Sequence, residues 1–227
     1  MTSLNHLIDH TLLAPTATAA DITRLCDEAR SHDLFAVCVN SAWVATAAAA
    51  LTDCPVRVAS VIGFPLGAQI TAAKAAEARL AVQAGASELD MVIALGSLLE
   101  GDTTTVRDDI AAVVTAAKEQ DPNAVVKVIL ETAALTDEQI VCACKLARAA
   151  GAGFVKTSTG FLDAKLALPG RSTGATTEAV ALMRQTVGDT MGVKASGGIS
   201  TREQAEALVA AGATRLGTSR SLALISA

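Results

Sequence analysis

Eight short, almost wholly apolar runs recur along this chain, and each is followed by a stretch with helical spacing. They are Leu7–Leu13, Leu34–Val39, Arg57–Ile62, Glu88–Ile93, Val125–Glu131, Phe154–Ser158, Gly192–Ser196 and Thr214–Thr218. A strand that is apolar on both faces must be covered on both faces, which predicts a parallel sheet under helices. No linker or break in composition divides the repeat, so residues 1–227 read as a single domain. Eight such units fit a TIM (β/α)8 barrel, a fold of about 250 residues. A six-stranded doubly wound sheet is the competing architecture, but no G-x-G-x-x-G follows an early strand.

The helices carry their own punctuation. Thr18 with Asp21 and Thr136 with Gln139 read as capping boxes, and so does Ser200 with Glu203. Thr105 reads as the cap of the helix carrying Ile110 and Val113. Gly85, Gly151 and Gly212 each stop a helix inside a Gly-Ala link, at the position that favours a left-handed residue. The spacing of these links, about two units, is a weak internal repeat that says nothing about chemistry.

Four of the strands hold a charge in mid-strand: Asp90, Lys127, Lys156 and Lys194. In a barrel, side chains alternate between the interior and the helix layer. Facing the helices, each charge would lie beneath apolar side chains. Facing inward near the C-terminal end, all four could reach one polar pocket, and four separate strands favour that common site. Lys156 sits in the run GFVKTSTGF. A lysine buried without a counter-charge is driven toward the free amine, and a free amine at a pocket can form a Schiff base with a carbonyl. A second cation beside it, Lys194 with Lys127 in reserve, would favour the same form, and Asp90 would balance charge and move protons. Asp9 could line the pocket from the first strand, or be a capped or paired carboxylate.

The far end of the chain suits a phosphate. Gly197 and Gly198 follow the seventh strand, and Gly217 and Ser219 follow or flank the eighth, ahead of a short final helix. Glycines let backbone N–H groups approach an anion, and the loops after strands seven and eight are the usual phosphate site of this fold. Thr159 and Gly160 after the sixth strand could add a hydroxyl and an amide, and Lys127 is expected among the substrate-binding residues with them.

The remaining features exclude rather than assign. A net charge of −5 argues against nucleic acid as a partner. The five cysteines form no C-x-x-C pair and read as reduced thiols of a cytoplasmic protein. His6, His10 and His32 have no metal-ligand spacing, and Gly-x-Ser-x-Gly is absent, so neither a zinc site nor a serine hydrolase is indicated. The N-terminus lacks a basic leader and no apolar stretch reaches 18 residues, so neither a signal peptide nor a membrane span is expected.

The motifs IDHTLL, VIGFPLG, ELDMVI, VKVILET, FVKTSTGF, VKASGGI and RLGTS, spread over nearly the whole length, resemble those of the deoxyribose-phosphate aldolases. These are class I, Schiff-base aldolases on a TIM barrel. The resemblance implies that Lys156 is the nucleophile, Lys194 the second catalytic lysine and Asp90 the proton-transfer carboxylate. It places Gly197, Gly198 and Ser219 at the phosphate. It also implies no metal or organic cofactor, sugar-phosphate and aldehyde substrates, and a homo-oligomer, dimer or higher. One departure stands out: some members end in a tail carrying a tyrosine, whereas this sequence has none and ends Ile225-Ser226-Ala227. The competing readings are another phosphate-binding barrel enzyme, an isomerase or a transaldolase-like one, and a barrel that only binds a sugar phosphate. Three lysines on three strands argue against the last.

Overall fold

A computed structural model describes residues 3–225, and in it eight parallel strands close on themselves. They are β1 (Ile8–Leu12), β2 (Ala36–Val39), β3 (Arg57–Ile62), β4 (Glu88–Val92), β5 (Val125–Ile129), β6 (Phe154–Lys156), β7 (Gly192–Ser196) and β8 (Arg215–Thr218). Each pairs with its sequence neighbour, and the β1–β8 pairing, with Ile8 opposite Leu216, completes the ring. This is the expected TIM barrel. Six of the eight strands are shorter than the apolar runs that announced them: β4, β5 and β6 stop early at the C-terminal end, β2 and β8 start late, and β1 loses a residue at each end.

Outside lie α1 (Ala19–Ser31), α2 (Val44–Ala50), α3 (Thr71–Gln83), α4 (Leu95–Leu99), α5 (Thr103–Lys118), α6 (Asp137–Ala149), α7 (Thr177–Val187), α8 (Arg202–Ala210) and α9 (Ser221–Ile225). The capping boxes of α1 and α6 form as expected. Two caps shift. Asp102, rather than Thr105, caps α5, its carboxylate accepting from Thr105 N at 3.0 Å and from Thr105 Oγ1 at 2.6 Å. A carboxylate has an oxygen for each donor. In α8 the box is Thr201 with Gln204, one residue beyond Ser200 and Glu203, and Gln204 Oε1 also accepts from Ser200 N and Oγ. Gly85, Gly151 and Gly212 all have positive φ, as a left-handed helix stop requires.

Alternation divides the apolar side chains in two. The large cluster lies between strands and helices, with Val37, Val39, Leu89 and Val155 among its members. A separate small cluster of Leu13, Cys38, Ala59 and Val61, with Phe64 against it, fills the interior on the β1–β3 side. The rest of the interior, lined by β4–β8 and by Asp9 of β1, is charged. Burial pushes the Cys26 thiol up to about 11 and Cys144 to about 12, so both are inert packing groups. No helix among the described residues is long and apolar enough to cross a membrane. Ser226 and Ala227, in the terminal stretch noted above, lie outside the described residues.

Candidate active site

The charged half of the interior is a stack of ion pairs. At its lower end Arg215 lies 3.5 Å above the Phe35 ring and donates to Asp9 and Glu88, each at 2.9 Å. Above it, Lys127 reaches Glu88 at 2.6 Å and Asp90 at 2.8 Å. Lys194 donates to Asp9 and, at 2.7 Å, to Asp90 Oδ2. Lys156 donates to the same Oδ2 at 2.8 Å. Three carboxylates thus face four cations, all buried.

That density sets the protonation states. Burial alone would raise Asp90, yet Lys127, Lys156 and Lys194 together hold it well below the ordinary carboxylate range. Burial is likewise outweighed at Asp9, by Lys194, Lys127 and Arg215, so Asp9 too lies below its usual range. Burial would lower Lys194, but Asp9 and Asp90 outweigh it and hold it raised; Lys127 is raised against its burial chiefly by Asp90. Lys194 is therefore held as a cation, with an Asp90 oxygen between its amine and that of Lys156.

Room for this arrangement is built into the backbone. A Cβ on Gly217 would lie 2.9 Å from Lys194 Cε and 3.1 Å from Ser196 Cβ, so glycine there leaves Lys194 the room it occupies beside β8. Lys156 lies opposite Lys194, and Lys127 opposite Asp90, in the ladder register. Register, not sequence proximity, makes them neighbours.

A cavity of about 700 Å³ opens above the stack at the C-terminal ends of β1 and β6–β8. Lys156, 3 % exposed, forms part of its floor, with Thr159, Gly160, Gly197, Gly198, Gly217 and Ser219 in its walls. Asp90 and Lys194 lie directly beneath, fully enclosed. Lys127 is placed differently from the substrate-binding role expected of it: it too is 0 % exposed, is absent from the cavity wall, and spends its ammonium on Glu88, Asp90 and, at 3.6 Å, Asp9. Its strand position is one step lower in the barrel than that of Lys156, since Lys156 is paired with Ile129.

Sequence reasoning passed over Glu88 and Arg215, the first residues of β4 and β8. It also missed Glu131, which ends the fifth apolar run. Glu131 is buried and left-handed, with φ 60°, and its carboxylate accepts from Thr159 N at 3.3 Å and from Thr159 Oγ1 at 2.5 Å. Burial raises this carboxyl above its usual range, with the Thr159 bonds opposing. It holds the loop that follows Lys156. An acidic residue closing an apolar run before a Thr-Ala-Ala turn was the available signal. Among the described residues no group of His, Cys, Asp and Glu is placed to hold a metal ion.

Comparison with known proteins points one way. A model of the DeoC/LacD family aldolases matches residues 4–221. The deoxyribose-phosphate aldolase of Brevibacillus brevis is 50 % identical over 98 % of this chain and 95 % of its own length. That of Enterococcus faecalis is 51 % identical over 98 % and 96 %. The solved structure described as a unique tetrameric deoxyribose phosphate aldolase from Aeropyrum pernix superposes with a TM-score of 0.87 at 33 % identity, covering 98 % of this chain and 89 % of that one.

Proposed function

This chain belongs to the DeoC/LacD aldolase family, and on that premise we propose which of its residues carry the chemistry. Its reaction is that of a class I aldolase, a carbon–carbon lyase. It cleaves 2-deoxy-D-ribose 5-phosphate reversibly to D-glyceraldehyde 3-phosphate and acetaldehyde.

Lys156 is the nucleophile. The observation that carries this assignment is that, of the three lysines in the ion stack, Lys156 alone reaches the cavity. The amine attacks the C1 aldehyde of the open-chain sugar, water leaves, and the protonated imine becomes an electron sink. The C3 hydroxyl then gives up its proton as the C2–C3 bond breaks and glyceraldehyde 3-phosphate departs. The remaining enamine takes a proton at C2, and water returns to release acetaldehyde and restore the amine.

Asp90 and Lys194 serve the two proton transfers as a unit. Asp90 alone is a weak base, since three lysines stabilise its charge. Enclosed beneath Lys156, it exchanges protons with substrate through a water seated beside that lysine. The sugar's phosphate is held by the loops carrying Gly197, Gly198, Gly217 and Ser219, with Thr159 and Gly160 closing the β6 side. Lys127 supports Asp90 from below and does not touch substrate.

The same reading takes residues 1–227 as one catalytic domain, working in the cytoplasm without metal or organic cofactor. It acts as a homo-oligomer: the Aeropyrum pernix relative is tetrameric by description, and Leu66 and Ile70 here leave large apolar side chains on the surface. Borohydride reduction with acetaldehyde, followed by peptide mapping, tests the central assignment. The adduct is expected on Lys156; an adduct on Lys194 or Lys127, or none, would refute it. Activity should survive chelation, and light scattering reads the oligomeric state.

A further inference from the structure

His10 belongs to the IDHTLL motif yet has no place in the ion stack. β1 alternates, so Asp9 points into the barrel and His10 toward the helices. Both ring nitrogens are engaged. Nε2 lies 2.7 Å from Glu28 Oε2 in α1, and Nδ1 lies 2.8 Å from Ser221 Oγ, at the first residue of α9. The ring protonated on Nε2 satisfies both partners: Nε2–H donates to Glu28, and Nδ1 accepts the Ser221 hydroxyl proton. Ser221 is completely enclosed, so this Ser–His–Glu line presents no nucleophile to a substrate.

What the line does is hold a loop. Ser221 lies two residues beyond 217–219, the segment assigned above to the phosphate. His10 stands opposite Thr218 in the β1–β8 register. Thr218 Oγ1 donates to Ile199 O at 2.8 Å and accepts from Arg220 N at 2.9 Å. Thr218 thus ties the loop after β8 to the loop after β7, and Ser221, anchored by His10, fixes the far end of that tie. Gly197, Gly198 and Gly217 provide close approach but little self-restraint, so the N–H groups around an anion must be aimed by something outside them.

We propose that His10 is a positioning residue for the phosphate loops, acting through Ser221 and touching neither the substrate nor the reacting carbons. The proposal rests on the assignment of residues 197–198 and 217–219 to the phosphate. A role of this kind affects the phosphorylated substrate and spares the chemistry at C1.

The test uses the full-length enzyme with 2-deoxyribose 5-phosphate, with unphosphorylated 2-deoxyribose, and with inorganic phosphate as competing inhibitor. Ser221→Ala and His10→Gln both lose the Nδ1 bond, since glutamine places its amide near Nε2 and keeps only Glu28. Each is expected to raise the KM of the phosphorylated sugar and the inhibition constant of phosphate about five- to tenfold, the worth of one buried hydrogen bond. Turnover of the unphosphorylated sugar should be unchanged. His10→Asn, whose amide oxygen falls near Nδ1, should restore wild-type values. Equal losses on both sugars, or a Ser221→Ala enzyme with wild-type KM and phosphate inhibition, would overturn the role of His10. If His10→Gln does not fold, Ser221→Ala read beside His10→Asn decides, since the Ser221 hydroxyl also lies 3.4 Å from Thr218 O. A wild-type enzyme indifferent to phosphate on the sugar and in solution would instead overturn the loop assignment, and this role with it.

Discussion

Lys156 and Lys194 stand opposite each other across the β6–β7 ladder and donate to one and the same oxygen of Asp90, at 2.8 and 2.7 Å. The two amines are nonetheless in different situations. Lys194 has a second carboxylate, Asp9, and is closed off, whereas Lys156 pairs with Asp90 alone among the described residues and touches the cavity. One carboxylate thus serves a permanent cation and a working amine.

Lys156→Ala should leave no turnover and no borohydride-trapped adduct while the barrel stays folded. The buried stack would then hold three cations against three carboxylates, so no charge is stranded. Circular dichroism and a thermal melt beside the assay check this. An inactive but melted protein would be uninformative about chemistry, whereas residual wild-type turnover would exclude Lys156 as nucleophile.

Lys127→Met separates support from contact. It leaves Glu88 with Arg215 and Arg57 alone and weakens the hold on Asp90, and breaking a buried ion pair from one side costs about 3–5 kcal/mol. Denaturant unfolding should show a loss of that order. In the fraction that folds, KM for the sugar phosphate should stay near wild type, because Lys127 is fully enclosed and away from the cavity. A large rise in KM with unchanged stability would place Lys127 at the substrate.

Stability should be lost at both ends of the pH range, for opposite reasons. Asp9, Glu88 and Asp90 bind protons less readily when folded than unfolded. Below the ordinary carboxylate values of 3.8 to 4.5 the unfolded chain therefore takes up more protons, and stability falls as pH falls. Lys127 and Lys194 hold protons more tightly when folded, so their contribution is complete below the ordinary value of 10.5 and is lost as pH rises beyond it. Melting temperature against pH should show a plateau from about pH 5 to 9 with a steep acid limb. Asp9→Asn should flatten that limb, and an unaltered limb would show that the stack does not control it.

Gly217→Ala should act on catalysis more than on folding. The added methyl must displace Lys194 Cε, which is held by Asp9 and Asp90. A misplacement of about 1 Å near the reacting groups can cost 10²-fold in rate. A drop in kcat of at least about tenfold is expected, with an adduct still trapped on Lys156. Unchanged kcat would mean that the position of Lys194 is not critical.

The barrel was legible because its signals are local. Apolar runs and helical spacing each depend on residues within a dozen positions, and β3 and β7 fall on the residues read from sequence. Caps moved by one to three positions, as at Asp102 and Thr201, because neighbouring polar residues offer competing acceptors. The cavity residues were legible too: Lys156, Thr159, Gly160, Gly197, Gly198, Gly217 and Ser219 share one cavity.

By itself the sequence determined which strands exist, in what order, and which of them carry a charge where an apolar residue would serve. The depth of each charge and the identity of its partner were decided by closure of the ring. Asp9 meets Lys194 and Arg215 only because β8 returns to β1, and Lys127 is buried as a support because its register sets it one step below Lys156. Such pairings join residues up to 206 positions apart. Their energies depend on separations of a few ångströms inside a low-dielectric interior, and no local pattern of side chains encodes those distances.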